Sequence, residues 1–191
     1  MRGRMKRISD IEFGYLVGLY LGDGYINYNK KDRHYRIDFS LNSERDIDII
    51  KRLLLILRKS SFNPFIVKDK RCSALSVRIN SKLLFGTLIK EKQKFRRRKF
   101  VNNNYMLGLL SGLIDSEGYV GNGEIVITQK DKTLLDTVKY ICNKLNIKWT
   151  KMWYYTFIDH KIWRLRISTS FKRIPNFSCK VARMLHSGVE A

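Results

Sequence analysis

Residues 13–26 read FGYLVGLYLGDGYI, with Gly14, Gly18 and Gly22 at four-residue intervals in an apolar run that ends on Asp23 and Gly24. Glycine at every fourth position clears one helix face, so that a second backbone can approach far more closely than side chains permit. Each such glycine costs a helix about 1 kcal/mol relative to alanine, so the strip demands a packing reason. Its partner lies further along the same chain. Residues 105–120, YMLGLLSGLIDSEGYV, carry Gly108, Gly112 and Ser116 at the same intervals, offset by 94 residues, and end on Glu117 and Gly118. Two strips predict two helices packed on each other at a pseudo-twofold axis.

The repetition continues outward. Residues 35–44, YRIDFSLNSE, align with GEIVITQKDK at an offset of 88, which sets Ile37 on Ile125 and Ser40 on Thr128. The same offset sets Val77, Arg78 and Ile79 on Leu165, Arg166 and Ile167, the first half carrying about six extra loop residues around Asn29 to His34. Matched offsets over most of the chain predict a pseudo-twofold tandem α+β fold of two αββαββα units. The expected units are residues 1–91 and 103–191, joined by a basic linker at 92–102.

Within the first unit, Ser9 or Asp10 caps a helix through Gly22, and alternation over 35–41 gives a strand with Tyr35, Ile37, Phe39 and Leu41 on one face. Ser43 is expected to cap a second helix, strands follow at 63–68 and 73–80, and a helix at 81–91 closes the unit. The second unit repeats this with a helix near 103–116, strands near 119–129, a helix over 131–146, strands near 149–156 and 162–168, and a terminal helix interrupted at Pro175.

A formal net charge of +21 and a pI near 10.1 exceed what solubility needs and repel themselves unless a polyanion neutralises them. Nucleic acid is therefore the expected partner. A membrane surface fits less well, because the basic residues run through strand-like segments, and no apolar run approaches the roughly 20 residues of a span. MRGRMKRISD is basic but is not followed by a signal-type apolar stretch, and the expected location, in keeping with reduced cysteines, is intracellular and cytoplasmic-type, or organellar in a eukaryote. Cys72, Cys142 and Cys179 are odd in number and lack a C-x-x-C spacing, so reduced packing residues are expected and not a disulfide framework or a zinc ribbon. His34, His160 and His186 are too scattered to suggest a site.

Asp23 and Glu117 hold equivalent positions, each followed by glycine and tyrosine, so each carboxylate stands at a helix C-terminus before a C′ glycine. Negative charge there opposes the helix dipole, and two carboxylates meeting across an axis repel. A divalent cation resolves both conflicts, since carboxylates and the last helix carbonyls are hard oxygen ligands. The alternative is that each acid meets a local Lys or Arg.

LVGLYLGDG and LSGLIDSEG resemble the two motifs of a double-motif LAGLIDADG homing endonuclease, and the paired αββαββα units resemble that family's fold over nearly the whole chain. The resemblance implies that Asp23 and Glu117, at the eighth motif position, bind Mg²⁺, with Gly22 and Ser116 offering backbone oxygens. Asp115, at the sixth position, faces Leu21 in the first motif and is not expected to be catalytic. The family also places a basic or polar residue at the end of the second strand, which Gln129 and Lys130 resemble. Their counterparts Leu41 and Asn42 lack the basic function, so the two halves of the site are expected to be unequal.

The strand faces opposite the apolar ones carry Arg36, Asp38, Ser40, Asn42, Ser76, Arg78 and Asn80 in the first unit, and Glu124, Val126, Thr128, Arg164, Arg166 and Ser168 in the second. Arginine holds guanine bidentately, and amides, hydroxyls and carboxylates select other base edges in the major groove. Strands of about eight residues span roughly 26 Å, close to eight base pairs, so two saddles suggest a non-palindromic target of roughly 16 to 20 base pairs. Trp149, Trp153 and Trp163 are expected to pack in the core or on the sheet. The leading expectation is a monomeric, metal-dependent endonuclease for double-stranded DNA that leaves 3′ overhangs and supports intron or intein mobility. An RNA-splicing maturase acting on intron RNA, or a catalytically silent DNA-binding regulator, are the alternatives on the same fold.

Overall fold

The computed structural model describes residues 6–68, 73–121, 124–168 and 178–187. The first repeat runs α1 (Asp10–Asp23), β1 (Gly24–Asn29), β2 (His34–Asn42), α2 (Ile47–Lys59), β3 (Phe65–Lys68), β4 (Ala74–Asn80) and α3 (Lys82–Arg96). The second runs α4 (Asn103–Glu117), β5 (Gly118–Gly121), β6 (Glu124–Gln129), α5 (Lys132–Lys144), β7 (Trp149–Phe157), β8 (His160–Ser168) and α6 (Cys179–Ser187). The antiparallel sheets have the orders β1-β2-β4-β3 and β5-β6-β8-β7, so the topology repeats with the sequence. The registers repeat too: Asp38 faces Arg78 and Ser40 faces Ser76 in one sheet, where Val126 faces Arg166 and Thr128 faces Arg164 in the other.

The two glycine helices cross at the centre of the molecule. A methyl on Gly14 would strike the Tyr105 carbonyl, and one on Gly108 would strike the carbonyl of Ile11, the symmetry counterpart of Tyr105. Gly18 and Gly112 meet each other, since a Cβ on either would lie 2.9–3.0 Å from the other's Cα. Ser9 starts α1 with a reciprocal capping box to Glu12, and Asn102 caps α4 at the Tyr105 N–H. On the sheets, Ile37, Phe39, Leu75, Val77 and Ile79, with Ile125, Ile127, Leu165 and Ile167, are buried under the helices. Alternation therefore leaves one polar face on each sheet.

Several local expectations change. Helix α2 begins at Ile47 and Ser43 does not cap it; the Asn42 side chain instead accepts the N–H groups of Glu44 and Arg45, closing a turn that competes with helix. The basic linker is helical through Arg96, because Phe95 is buried one turn beyond Glu91. The extra residues of the first repeat are not all loop: Tyr28 pairs with Tyr35 and Asn29 with His34, extending the β1–β2 ladder by two rungs. Trp149 and Trp163 pack against the core as expected, whereas the Arg166 guanidinium lies over Trp153, 5.5 Å from its centroid, so Trp153 belongs to the polar face. Cys142 is buried and Cys179 half-buried, both free. Cys72 and Pro175 lie outside the described residues.

Each closing helix reaches across to the other repeat. From α3, Glu91 accepts the Tyr105 hydroxyl at 2.7 Å, and from α6, Arg183 pairs with Asp48 at 3.1 Å and donates to the Arg45 carbonyl. No helix of the described residues is long and apolar enough to cross a membrane.

Candidate active site

Helices α1 and α4 end side by side on their acids. Gly22 packs against Ser116 so closely that a Cβ there would meet the serine side chain and lie 2.9 Å from Glu117 Cγ. The following glycines are extended, Gly24 at φ −87°, ψ 135° and Gly118 at φ −86°, ψ 136°, and not left-handed as a C′ glycine would be. Glycine is required here by closeness: a Cβ on Gly24 would run into the Tyr20 carbonyl, and one on Gly118 would lie 2.5 Å from the Ile114 carbonyl. Each strand thus starts directly at the acid and fixes it at the junction of helix and sheet.

Both acids are half-buried, and among the described residues neither forms an ion pair with a Lys or Arg. Burial, and after it the negative charge of Glu117, push the Asp23 carboxyl up to about 7, against the pull of Lys180. Burial also raises Glu117, opposed by its hydrogen bond from Gln129 and by Lys180. The structure joins Gln129 to the site through Nε2, which donates to Glu117 Oε1 at 2.8 Å. It does not join Lys130, whose side chain is exposed and whose main-chain N–H donates to Gln129 Oε1. Strand β6 ends at Gln129 and the chain bends at Lys130, which leaves that residue exposed.

The lysine that approaches them is Lys180. Its Nζ donates to the Gly118 carbonyl at 2.9 Å and to the Ser116 carbonyl at 3.4 Å, so the main-chain oxygen expected from Ser116 is already in contact with a cation. Asp115 aims it. That carboxylate is 1% exposed and accepts from Tyr15 Oη (2.8 Å), Ser178 Oγ (2.8 Å), Cys179 N (2.9 Å) and Lys180 N (3.0 Å), which makes it the cap of α6. The repeat offset of 88 pairs Lys180 with Lys92, and Lys92 with Arg96 lines a cleft of about 190 Å³ that also includes Leu21 and Gln129.

On the sheets, the polar faces hold the residues expected there, with three changes. Asp38 is only 6% exposed, held between Arg36 and Arg78. Glu124 is paired with Arg166 at 2.6 Å, and Asn42 is used by its own turn. Ser40 and Asn80 are exposed, while Ser76, Thr128, Arg164 and Ser168 are half-buried on the same faces. Tyr25 and Tyr119, 56% and 62% exposed, pair across the ladder with Asp38 and Val126 and so share these faces beside the acids.

The LAGLIDADG-like domain family matches residues 10–63 and 104–171, more than half of the chain and both repeats. The chain belongs to the LAGLIDADG family. An uncharacterized protein of Methanocaldococcus jannaschii is 28% identical over 136 residues, which are 71% of this chain and 49% of that protein, so the chain spans about half the length of this curated relative. Among solved structures, a mesophilic variant of the homing endonuclease I-DmoI superposes with a TM-score of 0.70 at 22% identity, covering 93% of this chain and 98% of that one. I-DmoI in complex with DNA and Mn gives 0.66 at 24% identity, covering 84% and 91%. Full-length WhiA from Thermatoga maritima gives 0.60 at 18%, covering 95% and 60%. These likenesses show that the fold is shared over most of the chain.

In this LAGLIDADG protein, sequence reasoning brought Asp23, Glu117, Gly22, Ser116 and Gln129 to one place, and the fold unites them. It missed Lys180, whose position depends on a cap 65 residues away in sequence. The offset of 88 that links Lys180 to Lys92 was the available signal.

Proposed function

We propose that this chain is a site-specific endonuclease for double-stranded DNA. The observation that carries this reading is the pair of half-buried acids at the joined ends of α1 and α4, which form no ion pair among the described residues, with Asp23 pushed up to about 7 despite the pull of Lys180. An arrangement that costs stability in the free protein suits a function that supplies positive charge. The donor set fits a divalent cation, Mg²⁺ in this reading: two carboxylates, with the Gly22 carbonyl and, if Lys180 yields it, that of Ser116. Such an ion would supply Lewis-acid stabilisation of phosphate oxygens and a bound water of lowered pKa. The solved complexes of I-DmoI with DNA and Mn, and with target DNA in the presence of Mg, support carrying both partners to this chain.

The residues then divide the work. Asp23 and Glu117 would hold the cation, and Gln129 fixes the rotamer of Glu117 through its 2.8 Å hydrogen bond. Lys180 places positive charge where the scissile phosphate builds up negative charge, with Lys92 in the matching position of the first repeat. The polar sheet faces, from Arg36 to Asn80 and from Glu124 to Ser168, lie against the major groove and select the target. A staggered break with 3′ overhangs, serving the mobility of an intron or intein, completes the reading that the motifs imply.

Cleavage of a plasmid library with and without Mg²⁺ tests it. Asp23→Asn and Glu117→Gln should each abolish double-strand cutting while specific binding persists, since phosphate and base contacts lie on the sheets. Lys180→Ala should slow cutting by about tenfold to a hundredfold, Lys130→Ala by much less. Wild-type cutting rates in either acid variant would overturn the mechanism. A chain that binds but cuts no duplex would favour the maturase or regulator reading.

A further inference from the structure

The register of β2 and β4 puts Asp38 directly opposite Arg78, with Arg36 two residues before it on the same face. Arg78 Nε donates to Asp38 Oδ1 at 2.6 Å, and Arg36 Nε approaches Oδ2 at 2.9 Å. One carboxylate oxygen is therefore hydrogen-bonded and the other lies in an ion pair without a hydrogen bond from Nε, and the side chain is 8% exposed beneath guanidiniums that are 35% and 25% exposed. We propose that Asp38 is a positioning residue: it contacts no base, and it clamps Arg36 and Arg78 by their Nε atoms as a pre-set pair of guanine readers. The inference rests on the proposed DNA-reading role of the sheets and adds what one half-site contains.

An acid on a DNA-facing surface repels phosphate unless it is neutralised. Two arginines on one buried carboxylate leave a net positive unit whose long side chains are already ordered, so less freedom is lost on binding. Each ion pair is made at Nε, and the Nη groups of each guanidinium are the donors that match the O6 and N7 acceptors of guanine. Arg36 and Arg78 are diagonal neighbours across the β2–β4 ladder, about 7–8 Å apart, and stacked bases lie about 3.4 Å apart. The two guanines should thus fall within about two base-pair steps.

The second repeat lacks the device. Val126 stands at the position of Asp38 and Glu124 at that of Arg36, so Arg166 pairs with Glu124 instead, and the Arg164 guanidinium lies over Tyr155, 4.6 Å from its centroid. Only one half-site should therefore demand a guanine pair.

The test is binding selection of the full chain, in EDTA, from duplexes randomised over about 20 base pairs. The wild-type protein should enrich two guanines within two steps in one half-site, and Asp38→Asn should lower the preference at both by about tenfold while the other half-site keeps its own. Undiminished preference at both guanines in the variant would overturn the proposal, as would a change confined to one C·G position, which marks Asp38 as a base reader. A wild-type protein that enriches no sequence would defeat the DNA-reading role and the proposal with it. Should Asp38→Asn fail to fold, as read by its thermal midpoint, Glu124→Arg with Val126→Asp decides: it should install a guanine pair in the second half-site, and an unchanged selection there overturns the idea.

Discussion

Asp23 occupies a place that no carboxylate would choose for stability, at the negative end of a helix dipole, half-buried and facing a second acid. With its carboxyl at about 7 against an ordinary value near 3.8, the folded state holds the proton more tightly than the unfolded one. Stability of the metal-free protein should therefore fall as pH rises from about 4 to 7 and stay low above that. One pKa unit corresponds to about 1.4 kcal/mol, and discounting for partial exposure leaves a penalty of about 1–3 kcal/mol. Asp23→Asn should remove it, raising the thermal midpoint in EDTA at pH 8 by several degrees while double-strand cutting is lost. A variant midpoint at or below wild type at pH 8 would show that ionised Asp23 costs the fold nothing. Both acids were legible in the sequence because a glycine strip ending in an acid, written twice, specifies where each carboxylate stands. Lys130 stands exposed because β6 ends at Gln129 and the chain bends there, and Lys180 was hidden because its aim depends on the buried cap at Asp115.

At the scale of elements, the helix crossing was the most legible feature, since Gly14, Gly18, Gly108 and Gly112 each meet the backbone of the opposite helix. Gly18→Ala would place a methyl against the Leu109 carbonyl and within 2.9 Å of Gly112 Cα, backbone that has nowhere to move. It should destabilise by about 2 kcal/mol or more. Gly86, in the interior of α3, leaves open space where a side chain would project, with no neighbour within 4 Å of a Cβ placed there, so Gly86→Ala should stabilise by about 0.5–1 kcal/mol. Urea melts of the two variants check this, and equal effects would mean that the strip's closeness is not what its glycines serve. Less legible were the ends of elements. The charge run from Lys92 to Lys99 reads as linker, yet Leu84, Leu88, Glu91 and Phe95 keep the helical period and are buried, so packing carries α3 through the charges. Likewise Ser43 has the residue type of a cap, but Asn42 closes a turn first.

The whole molecule behaves as a dimer written in one chain. Both glycine strips, both acids and both sheets are present, and each closing helix is docked on the other repeat through Glu91 and Arg183. A monomer should therefore be the active species, its two different polar faces laid along one continuous duplex. Two sheets covering roughly 16 to 20 base pairs, in a protein of net charge +21, should make on the order of eight phosphate contacts, each releasing a condensed counterion. The plot of log K against log salt should then slope at about −7, measured by fluorescence anisotropy on a target duplex in EDTA so that no cutting intervenes. Specific and non-specific duplexes should share most of this slope, because phosphate contacts carry affinity while base contacts carry the difference between sequences. A slope shallower than about −3 would mean that one saddle at most engages DNA. The charge would then need another polyanion, and the paired sheets another purpose.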